Sequence, residues 1–180
     1  MRLFIKSNAT EFEMLISKTP LRVSLFGGGT DYPTFVDQYG GSVIGGTINR
    51  YVYTSALPIF SHSEEKFRIS YRKTESVLNA KDIGHPIIRE YLKHVQLDKK
   101  YGFQTISDLP GGTGLGSSSS FSVGFIHLIQ EILLKKVSKE WLAREAIWLE
   151  TNRLGEPVGF QDQYHAAYGG FSRYDFDNTT

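Results

Sequence analysis

A run of glycine and serine that passes without a break into a long apolar segment constrains this chain more than any other feature. Pro110-Gly111-Gly112-Thr113-Gly114-Leu115-Gly116-Ser117-Ser118-Ser119-Ser120 leads directly into Phe121, Val123, Phe125, Ile126, Leu128, Ile129, Ile132 and Leu133. Apolar residues on nearly every side of a helix mean a helix buried in a core. A disordered linker would not run into such a helix. The glycines let the backbone approach a bulky anion and turn several N–H groups toward it, and the helix that follows offers the positive end of its dipole. Hydroxyls at 117–120 can add bonds to phosphate oxygens or to a Mg²⁺ ion. Together these features favour a polyphosphate.

Three familiar loops do not fit the spacing. A Walker loop needs Lys followed by Ser or Thr after its last glycine, whereas Gly116 is followed by Ser117-Ser118. A dinucleotide fingerprint fails because Ser117 stands where its third glycine belongs. The nucleophile elbow G-x-S-x-G has no match.

Composition narrows the partner. With 20 basic and 19 acidic residues, a formal charge of +1, the chain lacks the basic excess expected for duplex nucleic acid or an anionic membrane. A small molecule is expected instead. The lack of cysteine removes disulfide frameworks and thiolate metal sites and agrees with a reducing compartment, so a cytoplasmic location is expected. No apolar run reaches 18 residues, and Leu3-Phe4-Ile5 is too short for a signal-peptide core. Patterning sharpens at Met14, which leaves residues 1–13 as an extension or tag. The Asn8-Ala9-Thr10 triplet lacks a secretory context.

Strands are expected at Leu15-Ile16 and Leu21–Phe26, separated by Pro20 and ending at Gly27-Gly28-Gly29. Ser42–Ile48 and Tyr51–Leu57 read as a hairpin or one bent strand, and Phe67–Tyr71 and Tyr101–Ser107 add two more. Pro86 with Ile87, Ile88, Tyr91, Leu92 and Val95 predicts an amphipathic helix. Ser138 is a candidate N-cap for a helix through Leu149, with Gly155 as its terminator. A short helix over Tyr164–Tyr168 and a strand over Phe171–Phe176 complete an α+β order.

The segment from Pro110 to Ser120 resembles the second motif of the GHMP kinases. Thr19-Pro-Leu-Arg-Val-Ser-Leu-Phe-Gly-Gly-Gly-Thr-Asp-Tyr-Pro33 resembles that family's amino-terminal motif in its sugar-kinase form, and Leu154-Gly-Glu-Pro-Val-Gly-Phe-Gln-Asp-Gln-Tyr164 resembles the segment with the catalytic aspartate. The likeness spans roughly residues 14 to 176. Within the family it is strongest to kinases of heptose 7-phosphate, with other sugar 1-kinases such as fucose kinase as alternatives.

This resemblance implies a ribosomal protein S5 domain 2-like amino-terminal domain over 14–180 and a carboxy-terminal domain outside this chain. It implies ATP and Mg²⁺ as cofactors and a sugar or sugar phosphate as acceptor. Asp162 matches the catalytic aspartate, and Arg22 matches the basic residue that orients it or steadies the transferred phosphoryl group. Ser118 and Glu150 match the Mg²⁺ ligands, Glu150 with a one-residue difference in spacing before Asp162. Gly28, Gly29, Thr30 and Asp31 fall on the sugar side. A sugar 7-phosphate needs a second anion site, for which Arg72, Lys73 and Arg89, with His85, are the candidates by charge. Oligomeric state is left open, a homodimer included. The competing reading is a non-catalytic S5-like module that binds nucleic acid; a nucleotide-sugar dehydrogenase ranks below it because the dinucleotide fingerprint fails.

Overall fold

The computed structural model describes residues 3–4, 14–60 and 64–177. The expected extension 1–13, apart from Leu3–Phe4, lies outside the described residues, as do the Asn8 triplet and His62. Among the described residues, seven strands form one sheet: β1 (Leu3–Phe4), β2 (Leu15–Phe26), β3 (Gly41–Pro58), β4 (Phe67–Ser70), β5 (Thr74–Val77), β6 (Tyr101–Ser107) and β7 (Phe171–Phe176). The helices are α1 (Pro33–Tyr39), α2 (Pro86–Val95), α3 (Ser117–Ile132), α4 (Lys139–Trp148) and α5 (Gln161–Tyr168). The order along the sheet is β1-β2-β3-β6-β4-β5, with β7 also on β3. Only β4 and β6 run parallel; the other pairs are antiparallel.

β2 is continuous through Pro20, where the sequence suggests a break. The register slips between Pro20 and Arg22, and such a bulge lets a sheet accommodate a residue that has no N–H to donate. Beyond the bulge the chain's own loop occupies this edge. The Ser120 hydroxyl donates to the Pro20 carbonyl at 2.7 Å, and the Arg22 N–H donates to the Leu115 carbonyl at 3.0 Å. Thus the phosphate-loop segment is fastened to β2 by hydrogen bonds that the β-ladder leaves free.

β3 takes the bent-strand form. Its first half, Gly41–Gly46, pairs with β7, and its second half, Val52–Pro58, pairs with β6. Exposed Asn49-Arg50 lies at the changeover.

Helices cover one face of the sheet. Leu21, Val52, Ala56, Phe67, Ile69 and Phe103 pack in one core with Phe125, Ile126 and Ile129 of α3 and Ile88, Tyr91 and Leu92 of α2. A buried polar bond, Gln130 Nε2 donating to the Tyr91 hydroxyl at 2.7 Å, joins α2 to α3. A smaller cluster of Val36, Val43 and Phe176 seats α1 against β3 and β7. This is a two-layer α+β domain.

Two elements escape the sequence pattern for physical reasons. α1 buries only Val36, so its seven residues carry no amphipathic stripe, and β5 is four residues with none fully buried. Two helices also start earlier than their apolar runs suggest, because polar residues make the first turns: α3 at Ser117 and α5 at Gln161.

Gly124 sets the distance between α3 and β2. A methyl group at this position would come within 2.4 Å of Thr19 Oγ1 and 3.2 Å of Ser17 Oγ. Gly124→Val should therefore lower stability by about 2–3 kcal/mol, the usual cost of overpacking. Urea unfolding should show a lower midpoint with an unchanged m-value.

Candidate active site

The loop ahead of α3 is built to leave its amides free. Gly112, Gly114 and Gly116 have φ of +82°, +71° and +71°, a left-handed region that costs other residues strain. Gly116 is the N-cap of α3 and no side chain caps the first turn. The amides of that turn are therefore available to an anion. Pro110, Gly111, Gly112, Thr113 and Gly114 are exposed, while Leu115 packs on the core and holds the loop down.

The serine cluster divides by helical period. Ser117 is half-buried and Ser118 exposed, at the mouth of the loop. Ser119 and Ser120 do not face the phosphate site, contrary to the sequence expectation. The turn of the helix points them inward, where Ser119 Oγ donates to Glu150 Oε2 at 3.0 Å and Ser120 Oγ to Pro20.

Arg22 and Asp162, 140 residues apart in sequence, form a two-pronged ion pair. Arg22 Nε donates to Asp162 Oδ1 at 2.6 Å and Nη2 to Oδ2 at 2.7 Å. The third nitrogen, Nη1, donates to the Gly114 carbonyl at 2.6 Å. One guanidinium therefore ties the carboxylate to the phosphate loop. Gly116 leaves room for this pair: a methyl group there would lie 3.2 Å from both Arg22 Cγ and Asp162 Oδ2. Burial raises the Asp162 carboxyl above its ordinary range. The charge and hydrogen bonds of Arg22 oppose that rise, and the negative charge of Asp31 adds to it.

Glu150 is 1% exposed, not the solvated helix-end glutamate that its position suggests. Its carboxylate accepts from Ser119, Ser122 and Gln163, all neutral donors. Burial raises its pKa, with those hydrogen bonds opposing. It lies in a π-helical turn, Leu149–Arg153, the form a helix takes when one residue is inserted. That turn coincides with the one-residue difference in spacing before Asp162. Magnesium takes oxygen donors and few of them from protein. Among the described residues the Glu150 carboxylate has no cationic partner; it lies beneath the helix turn that carries Ser118, and to meet a Mg²⁺ ion it would exchange hydrogen bonds from its three neutral donors.

Asp31 has a different setting from the one expected of a sugar contact. It is 1% exposed; Oδ1 accepts from Gly29 N and Gln161 Nε2, both at 3.1 Å, and Oδ2 from Gln161 N at 3.0 Å. It thus fixes the glycine turn to the start of α5, one residue from Asp162. Thr30 also works inward, its hydroxyl bonding the Gly27 and Ser42 carbonyls. Gly28 and Gly29 remain exposed beside the site.

Of the residues expected to form a second anion site, Lys73, His85 and Arg89 lie within electrostatic reach of one another, with their own neighbours close by. Arg89 donates to the Ile83 carbonyl and to Glu90, and Lys73 lies beside Gly84 and Glu75. His85 is wedged between Tyr71 and Phe121, its pKa lowered chiefly by burial. Arg72 reaches the phosphate loop instead, where a methyl group on Gly111 would meet its Nη2 at 3.0 Å.

Several residues around this centre gave little signal in the sequence. Ser122 and Gln163 hold Glu150, and Gln161 holds Asp31; the two glutamines flank Asp162 in the third motif, and Ser122 showed only as a polar residue interrupting an apolar helix. His165, fully buried on α5, has its pKa lowered to about 4, by burial first and then by Arg22, and is neutral at pH 7. Among the described residues, no three His, Cys, Asp or Glu side chains cluster as a metal site, and no helix is long and apolar enough to cross a membrane.

A two-layer α+β domain that holds a glycine loop against an arginine–aspartate pair belongs to a recognisable class, and the comparisons name it. Residues 83–170 match the sequence profile of the GHMP kinases N terminal domain. The chain is 33% identical over 174 residues to D-glycero-alpha-D-manno-heptose 7-phosphate kinase of Campylobacter jejuni, covering 90% of this chain and 50% of that protein. It is 28% identical over 156 residues to galactokinase of Thermotoga petrophila, covering 84% and 43%. A solved D-glycero-D-manno-heptose 1-phosphate kinase from Bacteroides thetaiotaomicron superposes with a TM-score of 0.81 at 30% identity, over 91% of this chain and 56% of that one. The chain carries the amino-terminal domain of the GHMP kinases. It spans about half the length of the curated relatives it matches.

The electrostatics of the pair can be tested by removing its cation. Burial and Asp31 both push the Asp162 carboxyl up, and only Arg22 holds it down. Arg22→Met should therefore raise the Asp162 midpoint further in a carboxyl-carbon NMR titration. A fall would mean that the guanidinium is not its principal counter-charge.

Proposed function

We propose that this chain forms the ATP-binding and catalytic half of a sugar kinase, one that transfers the γ-phosphoryl group of ATP to the anomeric hydroxyl of D-glycero-D-manno-heptose 7-phosphate. The observation that carries the reading is the Arg22 guanidinium, which bonds Asp162 at two points and the phosphate loop at a third. A group that meets the acceptor and a group that meets the donor are thereby held in one rigid unit.

In such a transfer the protein mainly positions the reactants and offsets charge. The phosphates of ATP lie over residues 112–118, against the free amides of the first turn of α3. Asp162 faces the acceptor hydroxyl and takes its proton as the new oxygen–phosphorus bond forms and the bond to the β-phosphate oxygen breaks. A carboxyl raised by burial is a better proton acceptor than an ordinary aspartate. Arg22 keeps that carboxylate aimed and supplies positive charge beside the transferred group. Asp31 and Gln161 hold the start of α5, so Asp162 does not drift along the helix axis. Ser118 and Glu150 would be the oxygen donors for Mg²⁺, which would offset charge on the phosphates.

The heptose assignment rests on the 33% identical relative and on the triple glycine before Thr30-Asp31. An ADP-release assay across heptose 7-phosphate, hexose 6-phosphates and free hexoses tests it. Turnover fastest with the heptose phosphate is the expected result. Turnover only with galactose would transfer the assignment to that sugar, and ATP binding without turnover of any sugar would overturn the kinase reading. Asp162→Ala should reduce kcat by ~100-fold or more while ATP still binds, the scale of a lost acid–base group.

A further inference from the structure

Arg72 stands at the tip of the β4–β5 hairpin, exposed, and among the described residues it makes no hydrogen bond or ion pair. Its guanidinium nevertheless lies against the phosphate loop, 3.0 Å from where a methyl group on Gly111 would sit. The other arginine at this loop, Arg22, has Nε, Nη1 and Nη2 all committed to Asp162 and Gly114. Arg72 is thus the guanidinium at the loop with donors to spare.

The hairpin tip is fixed in place. Glu75 Oε2 accepts from the Gly84 N–H at 2.7 Å and Oε1 from the Tyr71 hydroxyl at 3.1 Å, which pins the hairpin to the segment leading into α2. The Tyr71 ring meets His85 edge-on at 4.9 Å, and His85 in turn meets Phe121, in the second turn of α3, at 4.9 Å. This stack runs from the helix that carries the phosphate loop to the residue next to Arg72. The turn that carries Arg72 is therefore anchored beside the loop, while among the described residues its guanidinium makes no hydrogen bond or ion pair.

Resting on the kinase reading above, we infer that Arg72 binds the phosphate chain of the nucleotide, reaching the loop at Gly111 as Arg22 reaches it at Gly114. This moves Arg72 from the sugar-phosphate side, where charge alone had suggested it, to the donor side. An arginine fork suits phosphate oxygens and gives bonds stronger than those between neutral groups.

Calorimetric titration of the full chain with Mg-ATP, Mg-ADP and adenosine, for the wild type, Arg72→Ala and Arg72→Lys, tests the assignment. Arg72→Ala should bind both nucleotides roughly tenfold more weakly, the scale of one charge-assisted hydrogen bond, and leave adenosine binding unchanged. Arg72→Lys should recover part of the loss. In steady-state assays the KM for ATP should rise and that for the sugar acceptor should not. Unchanged nucleotide affinity in Arg72→Ala, an equal loss for adenosine, or a rise confined to the KM of a phosphorylated sugar would each overturn the inference. Failure of the wild type to bind ATP at all would instead defeat the kinase reading on which it rests.

Discussion

The bidentate contact between Arg22 and Asp162 is the interaction on which the rest of the site depends. It joins β2, the phosphate loop and α5, three segments that are far apart in the chain. Arg22 is held from both ends, since its backbone N–H bonds Leu115 and its side chain bonds Gly114 and Asp162. The carboxylate and guanidinium are mostly buried, with 23% and 11% of their side chains exposed. Removing either partner leaves a poorly solvated charge, a loss on the order of 3 kcal/mol. The same contact that orders the site therefore also serves stability.

Around this pair several buried polar groups bond across elements in a way that fixes position. Asp31 takes the free amide at the start of α5, Ser120 takes the free carbonyl of Pro20, and Glu150 gathers Ser119, Ser122 and Gln163 beneath α3. Each bond crosses between elements and ties them together beneath the loop, whose backbone amides stay open. Open backbone amides over a braced base are what an anion site requires.

Much of this was legible beforehand. The buried helix after the serines, the amphipathic helix at Pro86, the Ser138 cap and the order of strands follow from local chemistry. Ser138 Oγ does accept from Trp141 N at 3.1 Å. Two of the motifs also pointed to Arg22 and Asp162, and the family resemblance pointed to Glu150. What misled was treating charge and polarity as exposure. Asp31, Ser119, Ser120 and Glu150 all carry polar groups that the fold turns inward, and Arg89, chosen for its charge, is occupied by its own neighbours.

The sequence by itself determined the phosphate loop and its buried helix, because glycine's backbone freedom and apolar periodicity act over a few residues. Only the tertiary structure decided which polar side chains face the loop and which are consumed beneath it. That choice depends on partners such as Arg22 and Asp162, 140 residues apart, or Arg72 and Gly111, whose meeting is set by the path of the sheet and not by any local preference.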